Sequence, residues 1–286
     1  MNADLIVTPE FVETNLDRIR VIDCTVYFEI KPVGASTIHS GRANWLEGHV
    51  PGAAYLHMVD DLSDPDGPYP FRIAPQPQID RVLSDIGIRP DDTVVVYGAG
   101  THVAVTRAWW VLNVSGVADV RIMDGGWQRW VAEGRPVATG EESFERSDFQ
   151  GVRRESEVAD RESVKAAVEH GGVQLVNALS RPQFEGTGGT HYGRPGRIPG
   201  SVSRPANELL DPETGAFATP EEMRAKLSGI DAEKPAIPYC GGGIAAAAAL
   251  FAMRVAGYDK LALYDDSLLD WSADPDLPME TGPAED

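Results

Sequence analysis

The chain has 286 residues, of which 42% are hydrophobic, and its formal net charge at pH 7 is −19. Its length suits two domains of ordinary size, and its hydrophobic fraction is that of a globular protein. The strongly negative charge argues against nucleic acid and anionic membrane surfaces as partners, because both require a basic face.

The sequence also indicates a cytoplasmic protein without membrane contact. The first residues lack the basic segment and apolar core of a signal peptide. The longest apolar run, residues 244–253, is too short to span a bilayer. Two cysteines, Cys24 and Cys240, do not make a disulfide framework, which fits a reducing compartment.

The first predicted unit covers residues 1–140 and alternates short β-branched runs with helical stretches. Residues 93–97 predict a strand, residues 98–104 a glycine-rich turn, and residues 108–112 part of a helix. Cys24 falls in a strand-like segment, where we expect it to act as a small buried hydrophobic side chain.

The histidines of this unit predict no metal site. His39, His49 and His57 are not spaced as a metal pair on one helix face, and no cysteine pair accompanies them. His49 lies in a Gly-His-Val-Pro-Gly turn, where we expect it to bond to the backbone and fix the turn.

A polar, charge-rich stretch, residues 141–157, follows the first unit. Its hydrophobic side chains are Phe144, Phe149 and Val152. We expect them to pin the stretch across a domain surface, so it is predicted to be an ordered linker.

The second predicted unit, residues 158–286, again alternates strands with helices. Its predicted elements are residues 173–176, 221–227, 236–239, 245–255 and 261–264. This alternation predicts an α/β fold with a mainly parallel sheet covered on both faces. Ligands bind in such folds at loops that leave the carboxyl ends of the strands.

Cys240 lies in such a loop. It follows a predicted strand and begins the sequence Cys-Gly-Gly-Gly-Ile-Ala, which leads into an alanine-rich helix. A loop over a helix N-terminus directs several N–H groups inward and favours the thiolate, the nucleophilic form of cysteine. The residues predicted to bind a substrate beside Cys240 are Gly241, Gly242, Gly243, Ile244 and Ala245.

Three landmarks occur twice in the chain, in one order and at nearly matching separations. The Gly-x-x-Pro-Gly turns are residues 48–52 and 196–200, the loops are residues 98–104 and 240–245, and the acidic segments are residues 123–130 and 264–271. Two copies of this length indicate tandem domains, because a solenoid needs many short repeats. Gly98 stands at the position of Cys240, so only the second copy can carry thiol chemistry.

Together these residues resemble the tandem-domain members of the rhodanese family of sulfurtransferases, over nearly the whole chain. The resemblance implies two tandem rhodanese-like domains, an inactive N-terminal one and a catalytic C-terminal one. It implies an enzyme, without cofactor or metal, in which Cys240 carries sulfane sulfur as a persulfide. The implied donor is thiosulfate or 3-mercaptopyruvate, and the implied acceptor is cyanide, a small thiol or a reduced dithiol protein.

The loop departs from the patterns that the resemblance implies. Thiosulfate-using members typically have basic residues after the cysteine, where this chain has Gly241 and Gly242. Mercaptopyruvate-using members typically have two hydroxyl side chains, which Gly242 and Ala245 replace here. Because thiosulfate carries two charges and the protein is acidic, we expect a modest preference for 3-mercaptopyruvate.

A second departure concerns the anionic end of the donor. The family usually grips it with an arginine at the position of Gln183. The candidate replacements are Arg181, Arg194 and Arg197, and the last two flank the turn expected to face Cys240. Arg194 and Arg197 are therefore the predicted donor-binding side chains.

Three other functions were weighed against this one. A dinucleotide-binding site is disfavoured because His102 and Val103 stand where the third glycine of the fingerprint belongs. A Cys-x5-Arg phosphatase fails because no arginine follows the loop before Arg254. A non-catalytic rhodanese module, acting as a sulfur carrier or binding a partner protein, remains the alternative.

Overall fold

The protein is described here by a computed structural model, which covers residues 5–209 and 216–283. Two α/β units follow one another along the chain. The first contains strands β1 (Ile6–Val7), β2 (Ile19–Asp23), β3 (Val26–Glu29), β4 (Thr37–Ser40), β5 (Ala53–Tyr55), β6 (Thr93–Tyr97) and β7 (Asp119–Met123). Its helices are α1 (Pro9–Thr14), α2 (Arg42–Glu47), α3 (Gln76–Asp85), α4 (His102–Val114) and α5 (Gly126–Ala132).

Five strands of the first unit form one parallel sheet in the order β1-β7-β6-β2-β5, and β3 and β4 form a separate antiparallel hairpin. The central strand β6 is buried from Val94 to Tyr97. Helices cover both faces of a parallel sheet, which is why this strand is an uninterrupted apolar run and does not alternate.

The second unit repeats the same arrangement. Its strands are β8 (Val158–Ala159), β9 (Gln174–Asn177), β10 (Val202–Ser203), β11 (Ala236–Tyr239) and β12 (Leu263–Tyr264). Its helices are α6 (Arg161–His170), α7 (Arg181–Glu185), α8 (Pro220–Lys226), α9 (Ile244–Val255) and α10 (Ser267–Trp271). The parallel order β10-β9-β11 continues through a bridge between Ala236 and Leu261 to the pair β12-β8, as β5-β2-β6-β7-β1 does in the first unit.

The repeat read from the sequence extends to individual hydrogen bonds. In the first unit Val50 donates its N–H to the Tyr97 hydroxyl at 3.1 Å. In the second, Ile198 donates to the Tyr239 hydroxyl at 3.0 Å. His49 fixes the first Gly-x-x-Pro-Gly turn as expected, since its Nδ1 lies 2.6 Å from the Trp45 carbonyl oxygen.

The stretch between the units is extended and packed against the first unit. Phe149 is fully buried, and its N–H donates to Ser84 Oγ at 2.9 Å. Val152, by contrast, is 82% exposed, so it does not pin the stretch as the sequence suggested. Its backbone instead runs close to Gly116, where a side chain would overlap it.

The two units are joined along helices α4 and α9. Both helices are apolar around most of their circumference, as expected of helices covered on all sides. Trp109 on α4 meets Phe251 on α9 edge to face, with ring centroids 4.9 Å apart. None of the helices in the described ranges combines the length and apolar character needed to cross a membrane.

A buried ion pair also crosses this interface. Arg107 Nη1 lies 2.6 Å from Asp265 Oδ1, and the two side chains are 1% and 5% exposed. The Ile73 N–H donates to the other carboxylate oxygen, Oδ2, at 2.7 Å, and the Arg107 guanidinium stacks on the Trp110 ring. The pair therefore has the additional partners that a buried charge needs.

We predict that Arg107→Met lowers the free energy of unfolding by about 3–5 kcal/mol, because it leaves Asp265 buried without a countercharge. Urea denaturation followed by far-UV circular dichroism measures the change. The matched control is Arg146→Met, which breaks an exposed pair with Asp85 and should cost less than about 1 kcal/mol. Equal effects in the two variants would contradict a structural role for the buried pair.

Candidate active site

Cys240 lies between the end of β11 and the start of α9, in a segment that we call the cysteine loop (residues 240–245). The residue is 2% exposed. Its N–H donates to Ser267 Oγ at 3.0 Å, and its carbonyl accepts from the Leu268 N–H at 3.2 Å. Both backbone groups of the cysteine are therefore fixed by the start of α10.

Ser267 holds this arrangement in an unusual backbone conformation. Its φ is +52°, and among the described residues it is the one non-glycine residue with positive φ. The equivalent residue of the first unit, Gly126, has φ +53°. A serine bears the strain of this conformation in the second unit, and its hydroxyl both accepts from Cys240 and donates to the Tyr264 carbonyl.

Close packing requires the glycines of the loop. A Cβ on Gly241 would overlap the Tyr192 ring, and one on Gly242 would lie 2.9 Å from Leu269 Cδ1. Gly243 has φ +83° and is the N-cap residue of α9, in a conformation that favours glycine. The loop is thus a bare backbone surface next to the thiol.

The loop also presents unused hydrogen-bond donors. Within the described part of the chain, the N–H groups of Gly241, Gly242 and Gly243 donate to no protein acceptor. In the first unit the equivalent of Gly241 is Ala99, and its N–H donates to the Thr25 hydroxyl at 2.8 Å. The equivalent of Thr25 in the second unit is Leu179, whose side chain has no hydrogen-bond acceptor. The N–H of Gly241 is therefore available to a ligand.

A cavity of about 420 Å³ opens beside Cys240, and both units contribute to its wall. Its lining residues in the first unit are Phe28, Ile30, Ser36, Phe71, Thr101, His102 and Val103. Those in the second unit are Ala178, Leu179, Ser180, Gln183, Thr190, Tyr192, Ala206, Asn207, Cys240, Gly242, Ile244 and Ala245. In the parts of the chain described, no Lys, Arg, Asp or Glu lines the cavity.

His102 is a polar group of this wall, and it comes from the first unit. Its Nε2 lies 3.1 Å from the Ala206 carbonyl oxygen. A carbonyl only accepts, so Nε2 carries a proton in this arrangement. Burial lowers the pKa of the His102 imidazole, which keeps the ring neutral.

Tyr192 covers the loop from the other side. Burial, with a smaller contribution from Cys240, raises the pKa of Tyr192 to about 12, so its hydroxyl stays protonated. The ring lies over Gly241 and closes the cavity next to the thiol.

The predicted arginines lie elsewhere. Arg194 donates to four backbone carbonyls, those of Trp271, Ser272, Asp274 and Leu277. Neither Arg194, Arg197 nor Arg181 is among the residues that line the cavity.

Arg197 also serves the C-terminal segment and the core. Its Nε lies 3.3 Å from Glu280 Oε2, its Nη1 donates to the Gly282 carbonyl, and its guanidinium stacks on the Phe184 ring. Both guanidinium groups point to residues 271–282, so the structure does not bring them together with Cys240.

Gln183, at the position where the resemblance implies an arginine, is also fully engaged. Its Oε1 accepts from the N–H and hydroxyl of Ser180, and its Nε2 donates to the Thr190 carbonyl at 2.8 Å. The side chain caps α7 and fastens the rim of the cavity.

The other cysteine has a different environment. Cys24 is 1% exposed and donates its thiol to the Tyr97 carbonyl at 3.0 Å, which confirms the expected buried role. Burial, reinforced by the nearby Asp23, raises the pKa of the Cys24 thiol well above its usual range. Within residues 5–209 and 216–283, no cluster of His, Cys, Asp or Glu side chains could hold a metal ion.

Four residues of this site were not identified from the sequence. Tyr192 and the first-unit residues Phe28 and His102 reach Cys240 from distant parts of the chain, and no motif marked them. Ser267 had a usable signal, because the repeat aligns it with Gly126 and so indicates a positive φ.

Comparisons with known proteins agree with this geometry. The model of the Rhodanese-like domain family matches residues 8–133 and 160–274. A Pseudomonas aeruginosa protein named as a probable 3-mercaptopyruvate sulfurtransferase is 32% identical over 272 residues, which are 92% of each chain. SseB of Mycobacterium tuberculosis, named as a thiosulfate sulfurtransferase on provisional grounds, is 34% identical over 253 residues, 85% of this chain and 87% of its own.

A solved structure gives the same result for the fold. The chain is similar to the crystal structure of SseA from Escherichia coli, which is described as a 3-mercaptopyruvate sulfurtransferase with the rhodanese fold. The TM-score is 0.81 and the sequence identity 25%, and the match covers 92% of this chain and 98% of SseA.

We predict that Gly241→Ala slows sulfur transfer about 100-fold, because the new methyl group displaces the loop against Tyr192. Tyr192→Ala in the same protein should restore part of the rate by opening the required space. Gly188→Ala is the matched control, since nothing lies near a Cβ at that position. Steady-state kinetics of the four proteins would contradict the packing argument if the double variant were no faster than Gly241→Ala.

Proposed function

The chain belongs to the rhodanese family and is a sulfurtransferase, and from this premise we propose that it transfers sulfane sulfur through a persulfide on Cys240. Residues 158–286 would form the catalytic domain, residues 1–140 the inactive one, and residues 141–157 the linker between them. The observation that carries the proposal is the row of unused N–H groups beside the one cysteine that opens onto the cavity.

The reaction has two covalent steps. The Cys240 thiolate attacks the outer sulfur of the donor, a bond forms between Sγ and that sulfur, and the donor's own bond to it breaks. The electron pair of that bond leaves with sulfite from thiosulfate, or with the enolate of pyruvate from 3-mercaptopyruvate. An acceptor nucleophile then attacks the terminal sulfur, and the electrons of the S–S bond return to Sγ.

The loop stabilises the charges of both steps. The thiolate and the terminal persulfide sulfur are anionic, and the unused N–H groups of Gly241, Gly242 and Gly243 are available to donate to them. The N-terminus of α9 adds a favourable field at the same place. In the first domain Gly98 replaces the cysteine, and the Thr25 hydroxyl accepts from the N–H of Ala99 in the equivalent loop. The first domain therefore cannot perform the reaction.

The donor is held by backbone amides in this proposal. Arg194 and Arg197 are committed to the C-terminal segment, and no cationic side chain of the described residues lines the cavity. A single carboxylate is easier to satisfy with amides than two charges, which supports 3-mercaptopyruvate over thiosulfate as donor. The relatives are named for both donors, one for 3-mercaptopyruvate and one for thiosulfate.

We predict that wild-type protein gains the mass of one sulfur atom when it is incubated with 3-mercaptopyruvate, and that Cys240→Ser does not. Cys24→Ala is the matched control and should keep the adduct and most of the activity, since Cys24 is buried away from the cavity. Intact-protein mass spectrometry and a cyanide-dependent thiocyanate assay measure both properties. A wild-type protein without adduct from either donor would indicate a non-catalytic module, and an active Cys240→Ser protein would exclude the persulfide mechanism.

A further inference from the structure

The cavity beside Cys240 is larger than the two small donors require. Its volume of about 420 Å³ falls in the range of about 300–1,000 Å³ typical of pockets for drug-sized organic molecules. Thiosulfate and 3-mercaptopyruvate have few heavy atoms and would fill only a small part of it. Because the two half-reactions occur in turn, the remaining space is available to the acceptor.

The first domain contributes an apolar wall to the cavity. Phe28 lies in β3, and Ile30 directly follows that strand. Phe71 and Val103 belong to the same wall. Ile30 is 73% exposed, so the apolar wall continues to the mouth of the cavity. An apolar surface of this kind favours a ligand with a hydrocarbon body.

The polar groups of the wall carry no net charge. His102 is neutral because burial lowers the pKa of its imidazole. Gln183 is engaged with Ser180 and Thr190, and the Thr190 hydroxyl donates to the Lys31 carbonyl at 2.7 Å. A carboxylate or an ammonium group on the acceptor would lose its hydration here and find no countercharge among the described side chains that line the cavity. The loop amides that hold the donor are engaged by the persulfide sulfur in this second half-reaction.

We propose that the physiological sulfur acceptor is an uncharged organic thiol with an apolar body. This body packs against the apolar wall that the first domain contributes. The proposal rests on the sulfurtransferase function proposed above and specifies its second substrate. The acceptor thiolate attacks the terminal sulfur of the Cys240 persulfide, a new S–S bond forms, and the bond between that sulfur and Sγ breaks. The products are an organic persulfide and the Cys240 thiolate, so the exchange needs no further oxidant or reductant.

The test is single-turnover discharge of preformed Cys240 persulfide by thiols of similar acidity. Benzyl mercaptan is the apolar probe, 2-mercaptoethanol is the small polar one, and 3-mercaptopropionate is the charged one. We expect benzyl mercaptan to discharge the persulfide at least about tenfold faster than either at equal thiolate concentration. Equal rates for the three thiols, measured by the loss of the sulfur mass, would overturn the proposal.

Two variants locate the effect. Ile30→Ser removes an exposed part of the wall and should reduce the ratio of the benzyl mercaptan rate to the cyanide rate about fivefold. Val152→Ser is the matched control, because Val152 is equally apolar and 82% exposed but does not line the cavity, and its ratio should not change. An unchanged ratio in Ile30→Ser would show that the wall does not select the acceptor.

Failure of this proposal can be told apart from failure of the sulfurtransferase proposal. If no persulfide forms, or if cyanide does not discharge it, the sulfurtransferase function itself is wrong. If cyanide discharges the persulfide and the three thiols react equally, the function stands and only the acceptor class proposed here is wrong.

Discussion

The buried ion pair between Arg107 and Asp265 is the constraint on which the geometry of the cysteine loop depends. Arg107 belongs to the first domain, yet its guanidinium also donates to the Gly243 carbonyl at 3.4 Å and to the Phe71 carbonyl at 2.5 Å. One side chain therefore ties the last glycine of the cysteine loop to Phe71, which also lines the cavity. Two charges buried this deeply need close pairing and further hydrogen-bond partners, and this geometry supplies both.

The first domain has a structural role in this arrangement. The two domains share strand order and several hydrogen bonds, but they differ at the residues of the loop. The first has Gly98 and Thr25, and the Thr25 hydroxyl accepts from an N–H of the loop. The second has Cys240 and Leu179, and the equivalent N–H has no protein acceptor. The first domain, which has a glycine at the position of Cys240, supplies part of the wall of the cavity and the guanidinium that contacts the loop.

Much of the fold could be predicted from the sequence, because the strands, the glycine-rich loop and the repeat are contiguous patterns. The predicted strand 236–239 coincides with β11, and the predicted helix 245–255 differs from α9 by one residue. The direction of the arginine side chains that were predicted to bind the donor did not follow from the sequence. The sequence places Arg194 beside a turn near the loop, but a long side chain can point either way, and here the carbonyls of the C-terminal segment satisfy it. Tyr192 and His102 reach the site through tertiary packing, for which a single sequence carries no local signal.

The substitution Leu179→Thr tests whether the open N–H groups of the loop stabilise the sulfur that Cys240 would carry. The new hydroxyl would stand where Thr25 stands in the first domain and accept from the Gly241 N–H, removing that donor from the sulfur. We predict that single-turnover persulfide formation slows about tenfold in Leu179→Thr. In Leu179→Val the rate should change much less, because valine has the shape of threonine but lacks the hydroxyl. Equal rates in the two variants would contradict a role for the loop amides in the reaction.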